Sequence, residues 1–175
     1  QSFTTDIDGD FCTALGYSAL SAQESDSTNQ AVYNTAIGAN AGRTLTTGIQ
    51  NTFVGGYTGG GAAITGDDNT AVGYNALYAN TSGAGNVAVG KGSLDANTTG
   101  SYNIAAGQSA LTANTTGAGN IAIGFNSLPA NTTADSNVAI GRSTMASNTT
   151  GANNTAVGKE ALSANTTATR NTALG

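Results

Sequence analysis

Three carboxylates alternate in the stretch DIDGD, at Asp6, Asp8 and Asp10. Alternate oxygen donors converging on one hard cation are the chemistry of a calcium loop, but the downstream bidentate Glu and the usual Gly placement are missing. The stretch therefore reads as an acidic junction leading into the rest of the chain. A second pattern is a row of Asn-Thr-Ser or Asn-Thr-Thr triplets opening at Asn80, Asn97, Asn114, Asn131, Asn148 and Asn165. It matches the acceptor sequence for an N-linked glycan. The plainer account is a turn repeated at fixed intervals, with Asn and Thr side chains stacked into hydrogen-bonded ladders. Cys12 is the single cysteine, so no intrachain disulfide and no thiolate cluster can form, and it reads as a semi-buried small residue. Asp67 and Asp68 read as a surface turn. The chain has no His to serve as a general base, and no Asp or Glu recurs where a catalytic pair could be placed. No catalytic, cofactor-binding or metal-ligating residue is assigned, no cofactor is expected, and the chain is expected not to be an enzyme.

What must position these residues is a repeat. NTAVGYNALYANTSGAG (69–85) is followed directly by NVAVGKGSLDANTTGSY (86–102) and NIAAGQSALTANTTGAG (103–119). Units begin at Asn34, Asn51, Asn69, Asn86, Asn103, Asn120, Asn137, Asn154 and Asn171, seventeen residues apart except for eighteen between Asn51 and Asn69. A degenerate unit starts at Cys12, which takes the Asn slot. So short and constant a period points to one structural coil per unit, stacked on its neighbours. Residues 1–11 are then an N-terminal junction and 12–175 a repeat domain of about nine coils plus a partial one. The start at Gln1 and the stop five residues into a new unit suggest a piece of a longer chain.

Composition narrows the class. Of 175 residues, 25 are Gly, one is Pro and none is Trp, and charged residues make up only 9%. Disordered chains are rich in the Pro, Glu and Lys that are scarce here, whereas regular Gly, Asn and Thr with β-branched residues at fixed positions suit a β-solenoid. A net charge of −5 with only five Lys and Arg leaves no electrostatic footprint for nucleic acid. No apolar run approaches the roughly 18 residues of a membrane span, so no membrane insertion is expected in this segment.

Numbered from its Asn, the unit reads N-[TVI]-A-[VI]-G-x-x-[AS]-L-x-A-N-T-T-G-x-x. Side chains alternate along a strand, so positions 2 and 4 share one face and position 3 takes the other. Position 4 (Val72, Val89, Ala106, Ile123, Ile140, Val157) reads as an inward row. The position-3 alanines (Ala71, Ala88, Ala105, Ala122, Ala139, Ala156, with Phe53 the exception) then lie on the opposite face, against a close neighbour. The position-5 Gly fits a bend, and Leu77, Leu94, Leu111, Leu128, Met145 and Leu162 make a second inward row. Two short strands and two turns per coil follow. Two or three aliphatic side chains per coil contribute roughly 1.5–3 kcal/mol each, against roughly 1–2 kcal/mol of backbone ordering per residue. A lone thin coil is marginal on that comparison, and an oligomer packed on the alanine face is expected.

The strings NTAVGYNAL, NVAVGKGSL, NIAIGFNSL and NTAVGKEAL resemble the repeats of bacteriophage tail-fibre-type proteins, and they are similar to the head repeats of trimeric autotransporter adhesins. The resemblance covers about residues 12–175. It implies an all-β, parallel β-solenoid fibre assembled as a homotrimer, on a virion tail or an extracellular surface, acting in attachment. A cell-surface receptor or glycan would be its external partner. The abundant Thr supports an alternative from another class, an ice- or crystal-binding solenoid. A flat binding face would need Thr at n and n+2, whereas the recurring pairs, such as Thr98-Thr99 and Thr115-Thr116, are adjacent.

Overall fold

The structure, a computed structural model, describes residues 11–23 and 31–175. Asp6, Asp8 and Asp10 lie outside the described residues. Each unit contributes one strand of three residues: β1 (Thr13–Leu15), β2 (Thr35–Ile37), β3 (Thr52–Val54), β4 (Thr70–Val72), β5 (Val87–Val89), β6 (Ile104–Ala106), β7 (Ile121–Ile123), β8 (Val138–Ile140), β9 (Thr155–Val157) and β10 (Thr172–Leu174). The ten form a single parallel sheet in sequence order. Equivalent positions pair throughout, with Ala88 on Ala105 and Ala105 on Ala122, so the molecule is a parallel β-solenoid with one repeat per coil. Nine steps of about 4.8 Å give a stack about 43 Å long.

The expected second strand is absent among the described residues. Gly at position 5 turns the chain at φ values such as 132° for Gly73, where an added Cβ would lie 2.8 Å from the Gly90 backbone. Beyond that turn, positions 7 and 9 are left-handed: Ser109 has φ 57° and Leu111 φ 52°. A strand needs uniformly extended residues, which this alternation prevents. Coil-to-coil hydrogen bonding continues regardless. The Leu94 N–H donates to the Ala110 carbonyl at 3.0 Å and the Leu111 N–H to the Ser127 carbonyl at 3.0 Å.

The two faces of the strand are the reverse of the sequence expectation. Ala71, Ala88, Ala105, Ala122, Ala139 and Ala156 are fully buried in the core. The position-4 residues face outward: Ile37, Val72, Val89, Ile123, Ile140 and Val157 are 36–41% exposed, and Ala106 is half-buried. The Leu row is inside as expected, with Leu77, Leu94, Leu111, Leu128 and Met145 fully buried and Leu162 packed against the core at its edge.

Phe53 supplies the reason. It takes the alanine slot, and the Leu slot of its own coil and of the preceding one is glycine, at Gly59 and Gly42. A Cβ on Gly59 would lie 2.8 Å from Phe53 Cε1, and one on Gly42 would lie 3.0 Å from Phe53 Cδ2. The alanines are small because leucines of the same chain fill the interior from the opposite wall, and where that wall is empty an aromatic ring takes the volume. The close neighbour predicted for the alanine row is the chain itself, not a second copy.

Candidate interaction surface

Two asparagine ladders hold the coils in step and so fix what the outer surface presents. In the first, the position-1 residues Asn34, Asn51, Asn69, Asn86, Asn103, Asn120, Asn137 and Asn154 are all fully buried. Asn86 Oδ1 accepts the Asn103 backbone N–H at 3.0 Å and Asn103 Nδ2–H at 3.2 Å. Asn103 Nδ2 also donates to the Gly117 carbonyl at 2.9 Å, which ties the start of the strand to the end of the same coil. The sequence pattern shows this Asn at every unit from Asn34 onward but not its task. Its identity follows from the bonds: a buried acceptor and donor on one short planar group is what the site needs.

The second ladder was expected and is present. Asn97 Nδ2 donates to Asn80 Oδ1 at 2.8 Å, Asn114 to Asn97 at 2.9 Å, Asn131 to Asn114 at 2.9 Å, and Asn165 to Asn148 at 2.7 Å. Each also bonds the carbonyl three residues on, as Asn97 does to Gly100 at 2.9 Å. Asn80, Asn97, Asn114, Asn131 and Asn148 are fully buried, so the amide nitrogens that a glycan would need are enclosed and bonded in the folded coil. The following Thr extends the pattern, since Thr98 Oγ1 donates to the Thr115 carbonyl at 2.9 Å and Thr115 Oγ1 to the Thr132 carbonyl at 3.0 Å. Toward the N-terminus this interior column is apolar instead, with Leu45 bridged to Ile64 and both fully buried.

The remaining polar candidates are local. Asp67 Oδ1 accepts the Ile49 N–H at 2.9 Å and Asp68 is an exposed turn residue with φ 58°. Cys12 is half-buried in its Asn slot. Asp95 is the unusual one: its Oδ1 is buried with no hydrogen-bond partner, and desolvation raises the pKa of its carboxyl. Among the described residues there is no pocket and no group of three His, Cys, Asp or Glu side chains placed to hold a metal. No helix is long and apolar enough to cross a membrane.

What the folded chain displays is therefore the outward face of one sheet. Position 4 gives a column of Val, Ile, Leu and one Ala, and position 2 a parallel column of Thr, Val and Ile. None of the outward strand positions is charged. The face is bordered on both sides. After the position-5 Gly come the exposed residues Tyr74, Lys91, Phe125, Arg142 and Lys159, with Arg142 5.9 Å above the Phe125 ring. Just before the next Asn come Tyr33, Asp68, Tyr102, Ser136 and Arg170, all exposed and all at positive φ. Contiguous exposed apolar surface rimmed by polar groups marks an interaction site. Compared with known proteins, the chain matches no family model, no curated protein and no solved structure.

Proposed function

We propose that this chain is a non-enzymatic structural fibre protein, a self-associating and specifically homotrimeric β-solenoid shaft or head that acts in attachment. Its setting is a virion tail fibre or an extracellular surface. The observation that carries the reading is the uncharged aliphatic face running the length of a ten-stranded parallel sheet. From the coil of β2 onward the chain is stiffened at each step by backbone bonds and by one or two asparagine rungs, as a spacer or display rod must be. Several copies held in one rod would present weak surface contacts in a fixed array and raise avidity without any new contact.

The test has two arms: imaging of purified protein for rods, and binding of labelled protein to panels of intact cells and immobilised glycans. Retention on a cell or glycan surface, lost when the oligomer is dispersed, is the expected result. Absence of retention on every surface would remove the attachment role.

The ice- or crystal-binding alternative gains one observation. Thr35 and Ile37, Thr52 and Val54, Thr70 and Val72, and Thr155 and Val157 point outward together at n and n+2. Only the first of each pair is Thr, so half of the required lattice is aliphatic, and the fibre reading is preferred. Strong thermal hysteresis would reverse the preference.

A further inference from the structure

The two edges of the sheet face differ in charge and in bulk, and that difference specifies how copies meet. We infer that copies of this chain associate through the outward aliphatic face, running in the same direction with equivalent coils level, an inference that rests on the self-associating fibre proposed above.

The edge that follows each strand is basic, carrying Lys91, Arg142 and Lys159, with Glu160 beside Lys159 at 3.4 Å. The edge that precedes each strand is mainly acidic, carrying Asp67, Asp68 and Asp135, with Arg170 at its far end. Two copies that meet face to face and run the same way are related by rotation about the long axis. The edge after the strand on one copy then lies against the edge before the strand on the next, and the same holds for any closed ring of copies. Copies running in opposite directions would set each edge against itself, basic against basic. Like charges brought together across an interface are the stronger penalty, so polarity is chosen by repulsion as well as attraction.

Individual levels agree. In the coil of β8, Arg142 stands on one edge while Asp135 and Ser136 stand on the other. In the coil of β7, Phe125 projects from one edge, and the other edge is Gly119, where an added Cβ would meet only Ser136 Oγ at 3.8 Å. In the coil of β2, Ala39 faces the level of the exposed Tyr33. Two coils depart from this pattern: that of β6, with Tyr102 and Gln108, where the Tyr102 ring turns aside over Gly85, and that of β1, with Phe11 and Tyr17, where the Phe11 ring stacks on Tyr33 at 5.2 Å. The face between these edges has no charge to desolvate, so covering it releases apolar surface without leaving a buried ion unpaired.

The experiment uses the full chain. Sedimentation across a concentration series is compared for the native protein, Val89→Asp and Ile123→Asp. Both positions are outward in the single coil, so circular dichroism of the dilute variants should match the native protein, while association weakens by more than about tenfold. A spin label at Lys159→Cys in a Cys12→Ser background then reads polarity. Copies running the same way hold their labels within the width of the assembly, whereas opposed copies with full overlap separate them by about 34 Å, seven coil steps. An oligomer indifferent to both face substitutions, or one with only the long label separation, would overturn this inference while leaving self-association standing. A native chain that stays monomeric at every concentration would overturn the self-associating fibre itself.

Discussion

Leu111 sits at φ 52°, a conformation that a branched, bulky side chain normally avoids, and Leu77, Leu94 and Leu128 do the same within two degrees. Left-handed non-glycine residues cost on the order of 1–3 kcal/mol and persist only where the surroundings over-determine them. Here the interior does so, because each Leu is fully buried. Exposed positions with the same backbone show the cost without the burial. Asn153 has φ 59° and points to solvent, and its equivalents include Gly85 and Gly119. Asn153→Gly should leave the melting temperature unchanged or raise it, while Asn153→Val should destabilise by about 1–2 kcal/mol, more than the usual ±0.5 kcal/mol of a surface substitution. Equal melting of the two variants would mean that this backbone is not under strain. Asp95 makes a prediction of a different kind. Desolvation raises its folded-state pKa, so the folded chain binds a proton more tightly than the unfolded one. The group therefore weakens the fold at neutral pH, and the deficit is relieved as pH falls through the raised value toward the ordinary Asp range. Asp95→Thr, which copies Thr112 of the next coil, should melt higher than the native protein at pH 7 and lose that advantage on acidification. A constant difference between the two across pH would rule out an ionised Asp95 as the cause.

Within a coil the Ala slot and the Leu slot act as one volume. Phe53→Ala alone should cost about 3–5 kcal/mol by opening a cavity beside Gly42 and Gly59. Gly59→Leu alone should also destabilise, because its first carbon already meets the Phe53 ring. Gly59 has φ 56°, close to the 53° of Leu77 one coil on, so Leu can adopt the backbone there. The double variant restores the ordinary Ala and Leu pair, and chemical denaturation should show it more stable than the sum of the single changes by at least about 1 kcal/mol. Simple additivity would show that the two slots do not share a volume. This coupling also marks how far the sequence could be read. The coil length, the parallel stacking, the bend at Gly73, the buried Leu row and the ladder from Asn80 to Asn165 were all legible, because each depends on spacing alone. The choice of inward face was not. Period-2 alternation says that Ala88 and Val89 point opposite ways but not which of them points in, and bulk normally identifies the core. In so thin a coil the leucines occupy the interior first and leave room only for a methyl group. The second strand was miscounted for a related reason: left-handed Ser109 and Leu111 have no signature in residue type. The Asn103 ladder was visible as a repeated letter, but its bonds to Asn86 and Gly117 join residues distant in sequence.

At the scale of the whole rod, each strand touches only its sequence neighbours, since β5 contacts β4 and β6 and no other strand. Stability in such an array is approximately a sum of coil terms and nearest-neighbour terms, so a coil is a removable unit provided that both ladders close across the gap. Deleting residues 103–119 joins Tyr102 to Asn120. Both Tyr102 and the lost Gly119 have positive φ, at 59° and 66°, so the new junction keeps the backbone conformation of the old one. Asn120 then takes over the rung that Asn103 made with Asn86, and Asn131, now one coil on from Asn97, takes over the rung that Asn114 made with it. This variant should fold to a rod shorter by about 4.8 Å, with unchanged circular dichroism and a modest loss of stability. Deleting one residue more, 103–120, places Tyr102 in the asparagine slot. Its ring cannot supply the acceptor for the next backbone N–H or the donor for the carbonyl that closes the coil, and each buried group left unpaired costs about 1–3 kcal/mol. If Tyr102 stays outside instead, the following strand slips by one residue, which drives Ile121 into the asparagine slot and Ile123 into the slot built for alanine. Both routes predict a cooperative loss of structure from the removal of a single further residue. Similar thermal melts for the two deletions would show that the asparagine slot does not set the period, and that seventeen is a property of the turns alone.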